Sequence, residues 1–341
     1  MKRIIFLLFT AVWFAGCEQR PADQGAVLPS WNDGAAKEAI IGFVKATTTP
    51  GSPDFVPESD RVATFDQDGT LWVEQPLYSQ LVYCFNQVPS LVKAHPELAG
   101  KEPYKTILSG DKEAISKLPA KEVEEMAAAT LSGMSDSAFT GSVKEWLSGS
   151  QNHRWHRRFT ELVYQPMLEL MAYLRANGFK TYIVTGGGQD FVRTYANEVY
   201  GVPSEQVIGS AMVTRFEYDS TGETRLIRMP ELLLNNNGPG KVEGIHFMIG
   251  KRPLMAVGNT PGDQEMLEYT KAGSGKRLAM LVLHDDSIRE YAYGPANGLP
   301  DAKVGSFPQE LYDKAEHSGW IVISMKTDWK QIFPFTENNN Q

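Results

Sequence analysis

Two aspartates, Asp66 and Asp68, stand two residues apart directly after a short apolar segment. The segment, Val-Ala-Thr-Phe at residues 62–65, is apolar or β-branched and predicts a buried strand of a parallel sheet. Ligands of open α/β sheets bind beyond the carboxyl ends of the strands, which makes this strand end a candidate active site. One carboxylate can attack a phosphorus atom or hold a metal ion, while the other acts as acid and base. Because the two negative charges repel each other, the pair also requires a cation, and Mg²⁺ prefers carboxylate oxygens.

A calcium site or a plain turn would also fit an Asp-x-Asp-Gly sequence, and neither involves catalysis. A calcium-binding EF-hand loop begins with Asp-x-Asp, but it requires a bidentate Glu at its twelfth position. Counted from Asp66, the twelfth position is Leu77, and an EF-hand loop does not follow a buried strand. An ordinary polar turn after the strand is the second alternative.

A second predicted strand end carries groups suited to a phosphate. Residues 179–184 predict a strand that ends in Thr-Gly-Gly-Gly, and a helix follows. Backbone N–H groups at a helix N-terminus bind phosphate oxygens, and glycines allow the phosphate to approach closely. The hydroxyl of Thr185 adds a donor at the strand tip. We therefore predict phosphate contacts at Thr185, Gly186 and Gly187.

A third predicted strand, residues 253–257, is followed closely by Asn259 and Asp263. Their side chains carry oxygens of the type that Mg²⁺ takes in proteins. Together with Asp66 and the backbone carbonyl of Asp68, they form a candidate metal site at the ends of the predicted strands.

Taken in this order, the strand ends resemble the motifs of the haloacid dehalogenase superfamily in its phosphatase form. The similar segments are Phe-Asp-Gln-Asp-Gly-Thr (65–70) for the first motif, Thr-Gly-Gly (185–187) for the second motif of phosphoserine-phosphatase-like members, and Gly-Asn-Thr-Pro-Gly-Asp (258–263) for the fourth. Lys241 stands where the lysine of the third motif belongs, and Lys251 and Arg252 are the alternatives for this role. Asn259 departs from the pattern, because many members have an acid at this position.

The resemblance implies an α/β fold with a Rossmann-like three-layer core, a parallel sheet and an α-helical cap of the C1 type inserted after the first core strand. It also implies that Asp66 forms an aspartyl-phosphate, that Asp68 acts as acid and base, and that Lys241 and Thr185 stabilise the phosphoryl oxygens. Mg²⁺ is the implied cofactor. Dehalogenase members lack the second acid, so Asp68 favours phosphate chemistry.

The segment after the first strand has the helical pattern expected of such a cap. From Leu77 to Leu147 apolar residues recur at helical spacing, and prolines such as Pro89 are expected to interrupt the helices. Further along, residues 207–216 and 224–228 predict a pair of strands. The predicted boundaries are 77–159 for the cap, and 31–76 with 160–335 for the core.

The amino terminus has the features of a bacterial lipoprotein signal. Two basic residues precede an apolar run, residues 4–14, that is too short to span a membrane. The run ends in Phe-Ala-Gly-Cys, which resembles a lipoprotein box with Cys17 as the lipidated residue. We predict a signal peptide at residues 1–16 and a lipidated tether at 17–30; Glu18 favours anchorage in the outer membrane, facing the periplasm. Ordinary signal cleavage and secretion is the alternative.

The formal net charge of the chain is −8. An acidic body argues against nucleic acid as a partner. The one basic stretch, residues 152–159, either attracts an anionic substrate at the edge of the cap or forms a solvated face. The expected partners are a small phosphorylated metabolite and, through the lipid, the membrane; the sequence indicates no protein partner.

The function predicted from these residues is Mg²⁺-dependent hydrolysis of small phosphate monoesters in the cell envelope. Selection of phosphoserine or phosphocholine is an alternative, because Glu74 and Trp72, with Tyr78, could contact an amine or a quaternary ammonium. Packing at the cap hinge is the competing role for the two aromatic residues. A phosphotransferase would use the same residues but protect the intermediate from water. A non-catalytic lipoprotein that binds phosphorylated ligands, its site lost at Asn259, is the remaining alternative.

Overall fold

The computed structural model describes residues 27–335 of the 341-residue chain. The predicted signal peptide at residues 1–16, the predicted lipidation site Cys17 and most of the predicted tether lie outside the described residues. The last part of the tether contacts the folded body: Leu28 is buried, and the Ser30 hydroxyl donates to Glu169 at 2.6 Å. Contacts of the folded body therefore extend to residues ahead of Trp31.

A seven-stranded sheet and a two-stranded ribbon contain the strands of the described chain. The strands are β1 (Val62–Phe65), β2 (Gln151–Asn152), β3 (Arg157–Arg158), β4 (Lys180–Gly188), β5 (Val207–Tyr218), β6 (Thr224–Leu234), β7 (Met255–Gly258), β8 (Leu278–Leu283) and β9 (Ile321–Ser324). β2 and β3 form the ribbon, and the order in the sheet is β6-β5-β4-β1-β7-β8-β9. Neighbours in the sheet run parallel except β5 and β6, which form an antiparallel hairpin at one edge. The predicted α/β fold with a mostly parallel sheet is confirmed.

Both faces of the sheet are covered, which is why its central strands are apolar throughout. In β8, Leu278, Met280 and Val282 belong to one hydrophobic cluster, while Ala279 and Leu281 belong to the other. Every residue of β8 and of β1 is buried. Strands that are buried on both faces have continuous apolar sequences rather than alternating ones.

Helices form a layer on each face of the sheet and an insertion after β1. The helices are α1 (Ala35–Thr48), α2 (Ser79–Ala94), α3 (Tyr104–Ser109), α4 (Lys112–Ser116), α5 (Ala120–Leu131), α6 (Asp136–Gly149), α7 (Gln165–Ala176), α8 (Gln189–Arg193), α9 (Ala196–Tyr200), α10 (Pro239–Ile249), α11 (Gln264–Lys271), α12 (Gln309–His317) and α13 (Met325–Asp328). α1 and α7 pack into one cluster through Phe43 and Leu170, and α10 and α11 into the other through Ile245 and Leu267. Within residues 27–335, none of the helices is both long and apolar enough to cross a membrane.

Helices α2 to α6 form the helical insertion that was predicted after the first core strand. Helix α2 differs from the prediction, because it continues through Pro89 to Ala94. A proline inside a helix costs about 3 kcal/mol or more. Tyr83, Cys84 and Val88 of α2 are buried, and this packing offsets the cost.

The hairpin is also longer than predicted, because β6 continues beyond Arg228 to Leu234. Pro230 lies within this extension. β6 is the edge strand of the sheet, where a proline does not remove a hydrogen bond on the open side.

Arg228 of β6 joins the hairpin to the helical insertion. Its Nε donates to the carbonyl of Leu131 at 2.8 Å, and its guanidinium lies 4.1 Å from the centre of the Phe139 ring. The same guanidinium pairs with Asp190 in α8, and the Gly133 N–H donates to the Arg228 carbonyl at 2.9 Å. These contacts fix the insertion against the core next to the end of β4.

Candidate active site

Asp66 and Asp68 lie at the carboxyl end of β1, in the middle of the sheet. The Asp66 N–H donates to the carbonyl of Val257 at 2.9 Å and so joins this strand end to β7. The chain then turns through Gly69, whose φ of 72° is a conformation that favours glycine. The Gly69 N–H closes the turn by donating to the Trp72 carbonyl at 2.9 Å. The turn leaves Asp66 buried and Asp68 half-buried.

Lys241 enters the site from the first turn of α10 and is buried between two carboxylates. Its Nζ donates to Asp66 Oδ1, to Asp263 Oδ1 at 2.6 Å and to the Val184 carbonyl at 2.8 Å. An ammonium has three N–H donors, so all of them are used. The structure therefore brings the predicted lysine to the predicted nucleophile.

The other basic residues considered from the sequence lie away from this lysine. Lys251 pairs with Asp60 at 2.6 Å, and Arg252 donates to the backbone carbonyl of Tyr269. In the basic segment, Arg154 donates to two backbone carbonyls and its guanidinium lies 4.4 Å from the centre of the Tyr291 ring. Arg157 and Arg158 both pair with Glu161. These side chains are thus committed to contacts within the protein.

The end of β4 places Thr185 and its glycines beside Asp68. Thr185 Oγ1 accepts from the Gly187 N–H at 2.9 Å, so the hydroxyl hydrogen is left for another acceptor. The carbonyl of Gly186 accepts from Ser210 Oγ at 2.8 Å, which joins this end to β5. A Cβ on Gly187 would lie 3.7 Å from Asp68 Oδ2. The absence of side chains on these glycines therefore leaves room in front of the second carboxylate.

The end of β7 carries Asn259 and Asp263, both buried. Asp263 Oδ2 accepts from the N–H groups of Asn259 and Thr260, each at 3.0 Å, while its Oδ1 accepts from Lys241. Both carboxylate oxygens thus hold the loop and the lysine. Asn259 Oδ1 accepts from Thr70 Oγ1 at 3.3 Å, which connects the ends of β7 and β1.

Burial and crowding change the pKa values of these groups. Removal from water raises the pKa of Asp66, the charge of Asp263 raises it further, and Lys241 opposes both effects. Burial raises the pKa of Asp68 to about 6, against the hydrogen bond from Trp72 Nε1 at 2.7 Å. Burial alone would lower the pKa of Lys241, but the charges of Asp263 and Asp66 outweigh it and the pKa is raised. The lysine therefore stays charged, while Asp68 can hold or release a proton near neutral pH.

A sequence model of the family described as haloacid dehalogenase-like hydrolase matches residues 63–268. The matched range runs from β1 into α11 and includes each strand end described above. The chain belongs to this family. It is therefore a hydrolase, and the family predicted from the motifs is confirmed.

Solved structures that resemble this haloacid dehalogenase-like hydrolase share little sequence with it. A protein of unknown function from Bordetella pertussis is 17% identical and the match covers 77% of this chain and 98% of that chain, with a TM-score of 0.46. A conserved functionally unknown protein from Anaerococcus prevotii is 16% identical over 73% and 85% of the two chains, with a TM-score of 0.49. A phosphoserine phosphohydrolase-like protein from Francisella tularensis is 17% identical over 66% and 88%, with a TM-score of 0.35. No curated protein matches the chain. The family assignment rests on the sequence model.

Trp72 and Glu74, which the sequence predicted to contact substrate, are each only 1% exposed in this hydrolase. The Trp72 ring stacks on Tyr195 at 4.8 Å between centroids, and its Nε1 is bound to Asp68. Glu74 Oε1 accepts from the Tyr293 hydroxyl at 2.8 Å and from Asn259 Nδ2 at 2.7 Å, and burial raises the pKa of Glu74 well above its usual range. The Trp72 side chain is thus both packed and hydrogen-bonded within the protein.

The sequence did not single out three residues that support the site. Gln80 of α2 accepts from the Gly188 N–H at 2.7 Å, and the second residue, Tyr293, binds Glu74. The third, His284, lies at the end of β8, where its Nε2 is 2.8 Å from the carbonyl of Gly69. The strand-end rule, applied to β8, would have identified His284. No local pattern marks Gln80 or Tyr293, which come from a helix and a loop.

The carboxylates at this site outnumber the cations, which fits a bound divalent metal ion. Among the described side chains, the ammonium of Lys241 is the cation that pairs with carboxylates here, and there are four carboxyl groups: Asp66, Asp68, Glu74 and Asp263. Within residues 27–335, no hydrogen bond reaches Oδ2 of Asp66 or of Asp68. No three His, Cys or acidic side chains of that range converge as a metal site, so backbone and amide oxygens would have to complete the ligands. Such an oxygen donor set suits Mg²⁺.

Proposed function

We propose that this hydrolase is a Mg²⁺-dependent phosphatase that cleaves small phosphate monoesters through an aspartyl-phosphate. The observation that carries the proposal is the pairing of Asp66 with Lys241 beside Asp68, at the carboxyl end of β1. A carboxylate oxygen without a protein partner, a neighbouring proton carrier and a fixed positive charge are the groups that phosphoryl transfer requires.

The reaction takes two steps at the same carboxylate. In the first, an oxygen of Asp66 attacks the phosphorus in line; its bond to phosphorus forms, the bond to the leaving oxygen breaks, and Asp68 gives that oxygen a proton. In the second, Asp68 takes a proton from water, the water oxygen attacks the phosphorus and Asp66 is released. One monoester and one water thus give one alcohol and one phosphate. The pKa of Asp68, raised to about 6 by burial, suits both transfers.

The remaining groups stabilise charge and provide space. The positive charge of Lys241 and the free hydroxyl hydrogen of Thr185 would stabilise the negative phosphoryl oxygens, and Gly186 and Gly187 leave space for them. Mg²⁺ would be held by Asp66, the carbonyl of Asp68 and the amide of Asn259. Asp263 instead uses both carboxylate oxygens to bind Lys241 and the N–H groups of its loop. Mg²⁺, when bound, offsets the charge of the phosphoryl oxygens.

We extend the proposal to the place of action, a bacterial cell envelope with the protein lipid-anchored at Cys17, in the outer membrane and facing the periplasm. The lipoprotein box and Glu18 support this location. The membrane is then a partner through the acyl chains, and the substrate is a small phosphorylated metabolite. Mass spectrometry of the protein, purified as the cell processes it, tests this location. Acyl chains on an amino-terminal Cys17 would support it, whereas an amino terminus at any other residue would contradict it.

The test of the activity is phosphate release from a panel that includes p-nitrophenyl phosphate, phosphoserine and phosphocholine. The protein, expressed from its full coding sequence, is assayed with Mg²⁺ and with EDTA, beside Asp66→Asn. Asp60→Asn is the matched control, because Asp60 is an exposed carboxylate that precedes the amino end of β1, whereas the site lies at the carboxyl end. We expect release that requires Mg²⁺, is lost in Asp66→Asn and persists in Asp60→Asn.

Three results would change the proposal. Release that persists in Asp66→Asn would exclude the aspartyl-phosphate, and no release from any monoester by folded protein would favour a binding role. Transfer of phosphate to an added alcohol would identify a phosphotransferase. Amine selectivity is not part of the proposal, because Glu74 and Trp72 are bound within the protein.

A further inference from the structure

Glu74 lies inside the protein and is bonded to Asn259. Its Oε1 accepts from Asn259 Nδ2 at 2.7 Å and from the Tyr293 hydroxyl at 2.8 Å. Glu74 and Asn259 are each 1% exposed, and Tyr293 is buried with them. Burial disfavours the charged form of Glu74, and the hydrogen bond from Tyr293 opposes this effect and favours the carboxylate. The contact joins the loop after β1 to the loop after β7.

The backbone on both sides of Glu74 leaves space for this contact. Gly69 and Gly305 have φ angles of 72° and 70°, which favour glycine. A Cβ on Gly69 would collide with Asn259 Nδ2 and with the Glu74 carboxylate. A Cβ on Gly305 would collide with the same carboxylate and with the Tyr293 ring. Two segments far apart in the chain thus accommodate one buried carboxylate.

The bond to Glu74 also fixes the orientation of the Asn259 amide. A carboxylate only accepts hydrogen bonds, so Nδ2 faces Glu74 and Oδ1 faces away from it. There Oδ1 accepts from Thr70 Oγ1 at 3.3 Å. The amide oxygen therefore lies beside Thr70, in the loop that follows Asp66 and Asp68, and oxygen is the atom type that Mg²⁺ binds.

We propose that Glu74 is a positioning residue of the metal site: it orients the amide of Asn259 and supplies, one hydrogen bond away, the negative charge that Asn259 lacks compared with an acid. The inference rests on the proposed Mg²⁺-dependent function. A carboxylate behind a metal ligand orients the ligand and strengthens it as a donor, and its loss typically weakens metal binding about 10- to 100-fold.

The test is a double-mutant cycle read as Mg²⁺ affinity by calorimetry, on the full chain purified as the cell processes it. Glu74→Gln in the wild-type background is expected to weaken Mg²⁺ binding about 10- to 100-fold. In the Asn259→Asp background a carboxylate stands at the metal site itself, and there Glu74→Gln should weaken Mg²⁺ binding less than about threefold. Coupling in Mg²⁺ affinity would show that Glu74 acts on the metal through Asn259, whereas a role of Glu74 in stability alone would leave Mg²⁺ affinity unchanged.

Thermal unfolding in EDTA gives a second readout that is independent of the metal. Asn259→Asp alone places two carboxylates in contact and should lower the midpoint, whereas Glu74→Gln with Asn259→Asp should restore it. Glu310→Gln, which removes an exposed charge in α12, is the control and should match the wild type in both measurements.

The outcomes separate this inference from the function on which it rests. A wild type that binds no Mg²⁺ would remove the metal from the proposed function and overturn both. If the wild type and Glu74→Gln bind Mg²⁺ with equal affinity, the inference alone is overturned. An effect of Glu74→Gln that is confined to KM for phosphoserine would also overturn the inference alone. If Glu74→Gln does not fold, Tyr293→Phe removes one donor to Oε1 without a change of charge. Its Mg²⁺ binding should weaken, and unchanged affinity would overturn the inference.

Discussion

Asp66 and Asp68 have different hydrogen-bond partners, and this difference separates their roles. Asp66 Oδ1 is bound to the ammonium of Lys241, which favours the charged carboxylate that a nucleophile needs. Asp68 Oδ1 is bound to the neutral indole of Trp72, and burial raises its pKa to about 6. Burial and the charge of Asp263 nevertheless outweigh the lysine and raise the pKa of Asp66 to about 7. The two aspartates therefore differ in their partners: Asp66 is fixed by a cation, while Asp68 is bonded to a neutral donor and can exchange a proton.

Asp68→Asn tests this division of roles. Loss of a general acid and base typically costs roughly 10²- to 10⁴-fold in rate. With an alkyl phosphate, formation of the aspartyl-phosphate should already slow by the full factor, because the leaving alkoxide needs the proton from Asp68. p-Nitrophenyl phosphate has a weakly basic leaving group, so its first step should continue and only hydrolysis of the aspartyl-phosphate should slow. Rapid mixing should therefore record a burst of nitrophenol close to one per enzyme.

The wild type is the control for this experiment and should show no burst of that size. Asp66→Asn should show neither a burst nor turnover. Equal losses on the alkyl and aryl substrates, with no burst, would contradict a separate role for Asp68.

Among the secondary-structure elements, neighbouring parallel strands build the site. β4, β1 and β7 are adjacent in the sheet, so their carboxyl ends lie side by side. β8 follows β7 and contributes His284, whose Nε2 is 2.8 Å from the Gly69 carbonyl and whose Nδ1 is 3.0 Å from Glu290 Oε2. A carbonyl only accepts, so Nε2 carries a hydrogen, and one proton is shared between Nδ1 and Glu290. The pair is buried and supports the turn after the two aspartates.

His284→Ala should destabilise the protein strongly. Glu290 is fully buried, and a buried polar group that loses its hydrogen-bond partner costs about 1–3 kcal/mol in the free energy of unfolding, and more if it is charged. Glu290→Gln is the matched variant, because its amide can still bond to the imidazole, and it should cost clearly less. Urea unfolding of the three proteins measures both changes. Equal stabilities of His284→Ala and the wild type would show that the pair does not stabilise the fold.

In the molecule as a whole, the helical insertion is held to the core by Arg228. This side chain is buried, bonds the Leu131 carbonyl, covers the Phe139 ring and pairs with Asp190. Asp190 belongs to α8, the helix that follows the glycines of β4. The same guanidinium thus contacts both the insertion and the helix that follows the glycines of β4.

Arg228→Leu should loosen the insertion without unfolding the sheet. We expect faster hydrogen exchange of backbone amides in α5 and α6, measured by mass spectrometry, and unchanged exchange in β1 and β7. Arg225→Leu is the control: Arg225 lies in the same strand but is exposed and pairs with Asp219 at the tip of the hairpin. Its exchange pattern should match that of the wild type. Uniformly faster exchange in Arg228→Leu would indicate loss of global stability instead.

Much of the core was predictable because strands and their polar ends are local features. Runs of apolar residues marked β1, β4 and β7, and the polar residues that follow each run marked the strand ends. The course of α2 through Pro89 and the extension of β6 past Arg228 were not predictable in this way. In both elements the tertiary environment outweighs the tendency of proline to interrupt helices and strands. The buried face of α2 is packed, and β6 has an open edge on which no hydrogen bond is lost.

The order of residues along the chain specifies the chemical groups of the site: Asp66 and Asp68 two residues apart, Thr185 before its glycines, Lys241, and Asn259 before Asp263. Which of these groups are bonded to one another depends on the folded arrangement. Glu74 reaches Asn259 across 185 positions of the chain, and His284 reaches Gly69 across 215. Burial makes each polar group take a partner, and the partner is whichever group packing brings near it, which no local pattern specifies.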